Sequence, residues 1–193
     1  EFISNNGVNS LLVGGLNNVA NAQSPIAVAD SDVAGSLSNW RAFGFGLPNT
    51  FANQLNYNDT ADVLAAGLFG RGAWLLYDVT TYFSTATVLR FGAADNDSAP
   101  DAAFLTGNRN LEKVGLGTLN IAGTTSYTGE TLVNGGRLTA NGSLLSSSGV
   151  TVGVDGTLGG TGFVPSTVVM GALAPGNSID TIAVVGNLTF TAG

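Results

Sequence analysis

Thirteen carboxylates in a chain of 193 residues, with no histidine and no cysteine, bound the chemistry open to this sequence. Without an imidazole or a thiol it holds no Ser-His-Asp triad, no Cys-His pair and no histidine metal site. Gly-x-Ser-x-Gly elbows, P-loops and dinucleotide fingerprints are also absent. Two groups of acids then need weighing. Asp95, Asp97 and Asp101 cluster in a polar stretch and have the oxygen chemistry of a calcium loop. They lack the glycine and terminal glutamate of an EF-hand, so a solvated loop is the preferred reading and no metal or cofactor is assigned. Asp59 and Asp62 have the composition of an acid–nucleophile pair, but local capping explains them more simply. The remaining chemical signal is aromatic. Trp40, Trp74 and Tyr77 belong to a belt that also contains Phe43, Phe45, Phe51, Tyr57 and Tyr82. Such a belt serves either as a sugar-stacking surface or as core, and core is the preferred reading.

Composition narrows the partners. Charged residues make up 10% of the chain, against about 25% in ordinary globular domains. The net charge is −7 and the sole lysine is Lys113. A chain without a basic stripe does not neutralise nucleic-acid phosphates, nor does it dock on anionic lipid. No run reaches the roughly 18 apolar residues of a membrane-spanning helix. The lack of cysteine fits a chain exported unfolded through an oxidising compartment. The sequence opens without a basic, apolar signal segment and stops on a strand-like run, so it reads as an excerpt of something longer.

The elements that carry these residues divide in two. Twelve of the sixteen aromatic residues lie between Trp40 and Phe104, in an irregular β-rich section covering residues 1–105. Leu11-Leu12-Val13, Ile26-Ala27-Val28, Trp74–Phe83 and Ala86–Phe91 read as strands. Asp59–Phe69 is open between a short helix, capped by Asp59 or Thr60, and another pair of strands. From residue 106 to 193 a glycine-punctuated unit recurs, with Leu119, Leu138, Leu158, Leu173 and Leu188 following Gly117, Gly135-Gly136, Gly156, Gly171 and Gly186. The leucines are 19, 20, 15 and 15 residues apart. A period near 20 with alternating apolar positions and Asn-Gly or Asp-Gly corners predicts an all-β parallel solenoid, one leucine per turn forming an internal ladder.

The same stretch resembles a known family. Lys113-Val114-Gly115-Leu116-Gly117-Thr118-Leu119, then Tyr127-Thr128-Gly129-Glu130-Thr131-Leu132-Val133-Asn134-Gly135-Gly136-Arg137-Leu138, is similar to the passenger-associated transport repeat of bacterial autotransporters. Gly156-Thr157-Leu158-Gly159-Gly160-Thr161-Gly162 and Leu173-Ala174-Pro175-Gly176-Asn177-Ser178-Ile179 resemble the segments that come next in that family, with Asp180 in place of its usual glycine. The match covers residues 111–193 and leaves residues 1–110 unmatched. It implies a type V secretion passenger, secreted or held at the exterior of the outer membrane. It also implies a right-handed β-helix and, as partner, a C-terminal translocator barrel of the same precursor.

Three functional readings are open to such a chain. The first is a non-catalytic stalk that supports export and presents an adhesive surface, or one that self-associates end to end. The second is the tail of a secreted hydrolase, subtilase-like or esterase, whose catalytic residues lie outside this chain. The third is a module that binds host or environmental glycans through Trp40, Trp74 and Tyr77. Glu130, Arg137, Asp155 and Asp180 are the only charges after Lys113, too sparse for the acid-lined groove of a polysaccharide-processing β-helix.

Overall fold

A computed structural model describes residues 2–5, 8–14, 26–31, 37–43, 50–83, 86–176 and 180–192. Phe45 and the Asn177-Ser178-Ile179 stretch lie outside these residues. The chain is all-β and forms two compact units, Glu1–Ala86 and Thr87–Gly193.

The first unit contains two antiparallel sheets. Strands β1 (Phe2–Asn5), β2 (Val8–Gly14), β3 (Ile26–Ser31) and β4 (Leu37–Ala42) pair in sequence order. Strands β5 (Ala52–Asn58), β6 (Val63–Leu68) and β7 (Gly72–Tyr77) form a three-stranded meander. Both sheets contribute to one apolar cluster, with Ile3, Leu12, Ile26 and Val28 from the first and Ala52, Leu64, Ala66 and Leu76 from the second. The helix considered for Asp59–Phe69 is not formed. Burial across β6 alternates, with Leu64, Ala66 and Leu68 inward, which is the period of a strand rather than a helix. Asp59 to Asp62 make the hairpin turn, and Asp62 takes the left-handed conformation (φ 53°) that closes it. Propensity is indecisive here; pairing with β5 and β7 on both sides decides it.

The second unit is a β-solenoid of about 5 turns. Its first coil starts at β8 (Val88–Phe91) and ends in β9 (Thr106–Gly107), so the parallel ladder begins ahead of the 1–105/106–193 division drawn from sequence. The second coil comprises β10 (Asn110–Lys113), β11 (Thr118–Ile121) and β12 (Ser126–Tyr127). The third has β13 (Thr131–Val133) and β14 (Gly136–Ala140), and the fourth β15 (Val150–Val152), β16 (Gly156–Gly160) and β17 (Phe163–Val164). The fifth runs through β18 (Thr167–Val169), β19 (Ala172–Pro175) and β20 (Ala183–Val184), and β21 (Leu188–Phe190) adds one more strand. Strands β8, β10, β13, β15, β18 and β21 stack in parallel as one six-stranded sheet. Strands β11, β14, β16 and β19 make a second sheet. The third side is built from the β9–β12 and β17–β20 pairs, with bridges through Ser143.

Register in these sheets is residue-for-residue, so like positions stack. Leu119, Leu138, Leu158 and Leu173 pair in one line, the first three wholly buried. The predicted leucine ladder is therefore present, but Leu188 is not in it. It pairs with Thr167 in the six-stranded sheet. The two 15-residue intervals differ in meaning. Between Leu158 and Leu173 tight corners let 15 residues complete a coil. After Leu173 the next strand, β20, starts only at Ala183, so Leu188 falls on β21, the first side of the next coil. Burial of the ladder leucines supplies the main drive for stacking. Leu138→Ala is expected to lower the unfolding free energy by about 2–5 kcal/mol. Leu116→Ala, at a corner position 81% exposed, is expected to stay within about 0.5 kcal/mol of the parent. Urea titrations of both variants check the contrast.

Candidate functional site

The acidic loop comes first. Asp95 takes a left-handed backbone (φ 58°), and its Oδ1 accepts the Leu116 N–H at 2.7 Å. Asp97 Oδ1 accepts the Thr118 N–H at 2.6 Å. Both acceptors thus fasten a corner of the first coil to the β10–β11 corner of the next one. Asp101 Oδ1 accepts the Ala103 N–H at 2.9 Å and caps the 3-10 turn Ala102–Phe104. Each carboxylate accepts a backbone amide at an exposed turn or corner. Among the described residues, no three acidic side chains are grouped to hold a metal ion.

Asp59 and Asp62 sit in different surroundings. Asp59 is exposed in the hairpin turn and accepts the Thr60 hydroxyl at 3.3 Å. Asp62 is buried and accepts the Tyr57 hydroxyl at 2.9 Å, the Thr80 N–H at 3.0 Å and the Thr80 hydroxyl at 2.8 Å. Desolvation is the largest influence on Asp62 and pushes its pKa up, against those hydrogen bonds and with a further push from nearby Asp78. The same burial, helped by the Asp62 and Asp59 charges, raises the Tyr57 phenol. Tyr82 is pushed up to about 12, first by burial and then by Asp78 and Asp62. Asp62 is accordingly a hairpin lock, tying the β5–β6 turn to the 3-10 turn Val79–Tyr82.

The aromatic belt separates into core and surface. Phe43 is buried, stacks on Phe83 at 5.4 Å and meets Tyr82 edge-on at 6.3 Å. Tyr57 and Tyr82 pack against the same cluster. Trp40 on β4 and Trp74 and Tyr77 on β7 are 51%, 39% and 39% exposed. Trp74 pairs with Ala66, and Tyr77 with Val63. Since these partners are three residues apart on β6, the two rings project from opposite faces of the meander. Trp74 and Tyr77 therefore do not form a single stacking platform.

Two features have little signal in the sequence. Arg137 lies across the outside of the second sheet, donating Nε–H to the Thr139 hydroxyl at 3.1 Å and Nη2–H to the carbonyls of Ala174 (3.3 Å) and Gly176 (2.8 Å). Its guanidinium crosses Gly159, where a Cβ would collide with it. Within the solenoid, Tyr127 and Thr131 share a hydroxyl bond of 2.6 Å, and Thr131 and Ser147 one of 2.9 Å. Ser147 Oγ also donates towards the Gly129 carbonyl at 2.8 Å. Such a closed hydroxyl chain satisfies buried polar groups without charge. These contacts organise backbone and core; none assembles a nucleophile with a base. No protein-family model, curated protein or solved structure shows a detectable match to the chain.

Two outcomes are expected. Asp97→Ala should cost the solenoid about 1–2 kcal/mol through the lost Thr118 amide acceptor, with calcium unable to restore it, as thermal melts with and without the ion would read. For Asp62 the folded chain holds its proton more tightly than the unfolded chain. Its ionisation therefore costs stability near neutral pH, and that cost fades as pH falls through the raised folded value. Wild type should gain stability relative to Asp62→Asn as pH falls from neutrality towards the ordinary carboxyl value of 3.8, measured by denaturant midpoints.

Proposed function

We propose that this chain is a passenger segment of a bacterial type V secreted protein, whose solenoid is a non-catalytic stalk for export and surface presentation. One observation supports this above others. The stretch that carries the ordered transport-repeat motifs, residues 111–193, is also where Leu119, Leu138, Leu158 and Leu173 stand in register. A rung-by-rung stack of local contacts suits folding outside the cell, since each coil adds to a preformed edge and needs no distant partner. The low charge and the absence of cysteine suit transit as an extended chain. Carboxylates bound to backbone amides fit a stalk better than a reactive surface. In this reading the partner is the C-terminal translocator barrel of the same precursor, and the location is the cell exterior.

Display of the chain on a Gram-negative surface, fused ahead of a translocator barrel, tests the proposal. Wild type should reach the surface and resist added protease. Leu158→Asp, which places a charge in the ladder, should lower the protease-resistant surface population several-fold. Equal display of both chains would overturn the role of the solenoid in export.

A further inference from the structure

Lys113 is the chain's sole lysine and is wholly buried. It stands in an inward column of the six-stranded sheet, between Phe91 on one side and Val133, Val152, Val169 and Phe190 on the other. Every other member of that column is apolar. Its four-carbon stem fills the place of an apolar side chain. The ammonium passes to the corner after β10, where it donates to the carbonyls of Val114, Gly115 (3.1 Å) and Gly135 (3.4 Å). Val114 and Gly115 belong to the same coil as Lys113; Gly135 belongs to the next. Behind the ammonium lies Gly92 of the preceding coil, at φ 91°, where a Cβ would fall 2.9 Å from Nζ. Only a residue without a side chain leaves that space open.

An ammonium has three donors and no acceptor. Burying it is costly unless its donors are matched, and here three carbonyl oxygens from two coils converge on it. Converging backbone carbonyls are also the coordination that replaces water around a monovalent cation. We propose that the corner formed by Gly92, Val114, Gly115 and Gly135 is a cation-binding nest. Its built-in occupant is the Lys113 ammonium, which couples the second and third coils. The class of ligand is a small monovalent cation with N–H donors. The Gly135 oxygen arrives only with the third coil, so stacking of that coil adds an acceptor to the buried charge. This inference concerns the solenoid itself and does not depend on the export reading.

The test uses the full chain. Amine acylation followed by mass spectrometry should modify Lys113 at least about a hundredfold more slowly in the folded protein than in denaturant. The terminal α-amine serves as an internal standard. Lys113→Met keeps the column filled but removes the charge, and should lower the melting temperature by roughly 5 °C or more. Lys113→Ala empties the nest. Its melting temperature should rise in methylammonium chloride relative to equimolar tetramethylammonium chloride, which has the charge without N–H donors. Rapid acylation in the folded state, or Lys113→Met melting at or above wild type, would overturn the proposal. Identical melting of Lys113→Ala in the two salts would also overturn it. If Lys113→Ala does not fold, acylation and Lys113→Met still decide.

Discussion

Residue-for-residue parallel stacking of coils is the constraint on which the solenoid depends. Each strand of the six-stranded sheet is hydrogen-bonded to the strand one coil away, at the spacing of about 4.8 Å that backbone pairing imposes. Everything inside obeys that repeat. Like residues stack over much of the solenoid's length, leucine on leucine in the ladder and Val133 on Val152 and Val169 in the six-stranded sheet. Any polar group that enters must find its partner within the column or at the adjoining corner. Thr131 finds Tyr127 and Ser147, and Lys113 finds three carbonyls. A one-residue slip would turn every column inside out.

Corners carry the rest of the specificity. Coils of unequal length remain in register because their corners absorb the difference. The acids that draw attention as candidate ligands serve this purpose. Asp95 and Asp97 accept amides of the next coil's corner, and Asp62 does similar work in a hairpin of the first unit. Short polar side chains are favoured at such points because they reach nearby backbone donors without crossing the core. An acidic cluster on a turn-rich chain is thus more informative about backbone geometry than about metals or catalysis.

Exposure changes along the stack for the same physical reason. Inward residues of middle rungs, such as Leu111, Val133 and Val152, are wholly buried, whereas Leu188 and Phe190 on β21 are 41% and 65% exposed. These two occupy inward positions, level with Thr167 and Val169, but no further described strand pairs with β21. A rung covers its neighbour's interior edge and has its own covered in turn, so burial depends on both neighbours. The first unit is organised differently, with two antiparallel sheets closing on a shared cluster through alternate residues.

The period, composition and corner residues were enough to determine an all-β solenoid with a leucine ladder, because a one-dimensional stack repeats its chemistry once per coil and so writes itself into the sequence. Of the five recurring leucines, Leu119, Leu138, Leu158 and Leu173 stand in the ladder on that ground. The irregular section was legible only as strands; whether Asp59–Phe69 was helix or hairpin depended on partners far along the chain. Tertiary structure decided where the ladder starts, which face Trp74 and Tyr77 occupy, and that Leu188 belongs to another sheet. It also decided the roles of Lys113 and Arg137. A lone basic residue in a sequence looks like surface charge, and it is Gly135, Ala174 and Gly176 from later coils that add the acceptors tying these two across the stack. Contacts between coils are fixed by corner lengths, which no local pattern records.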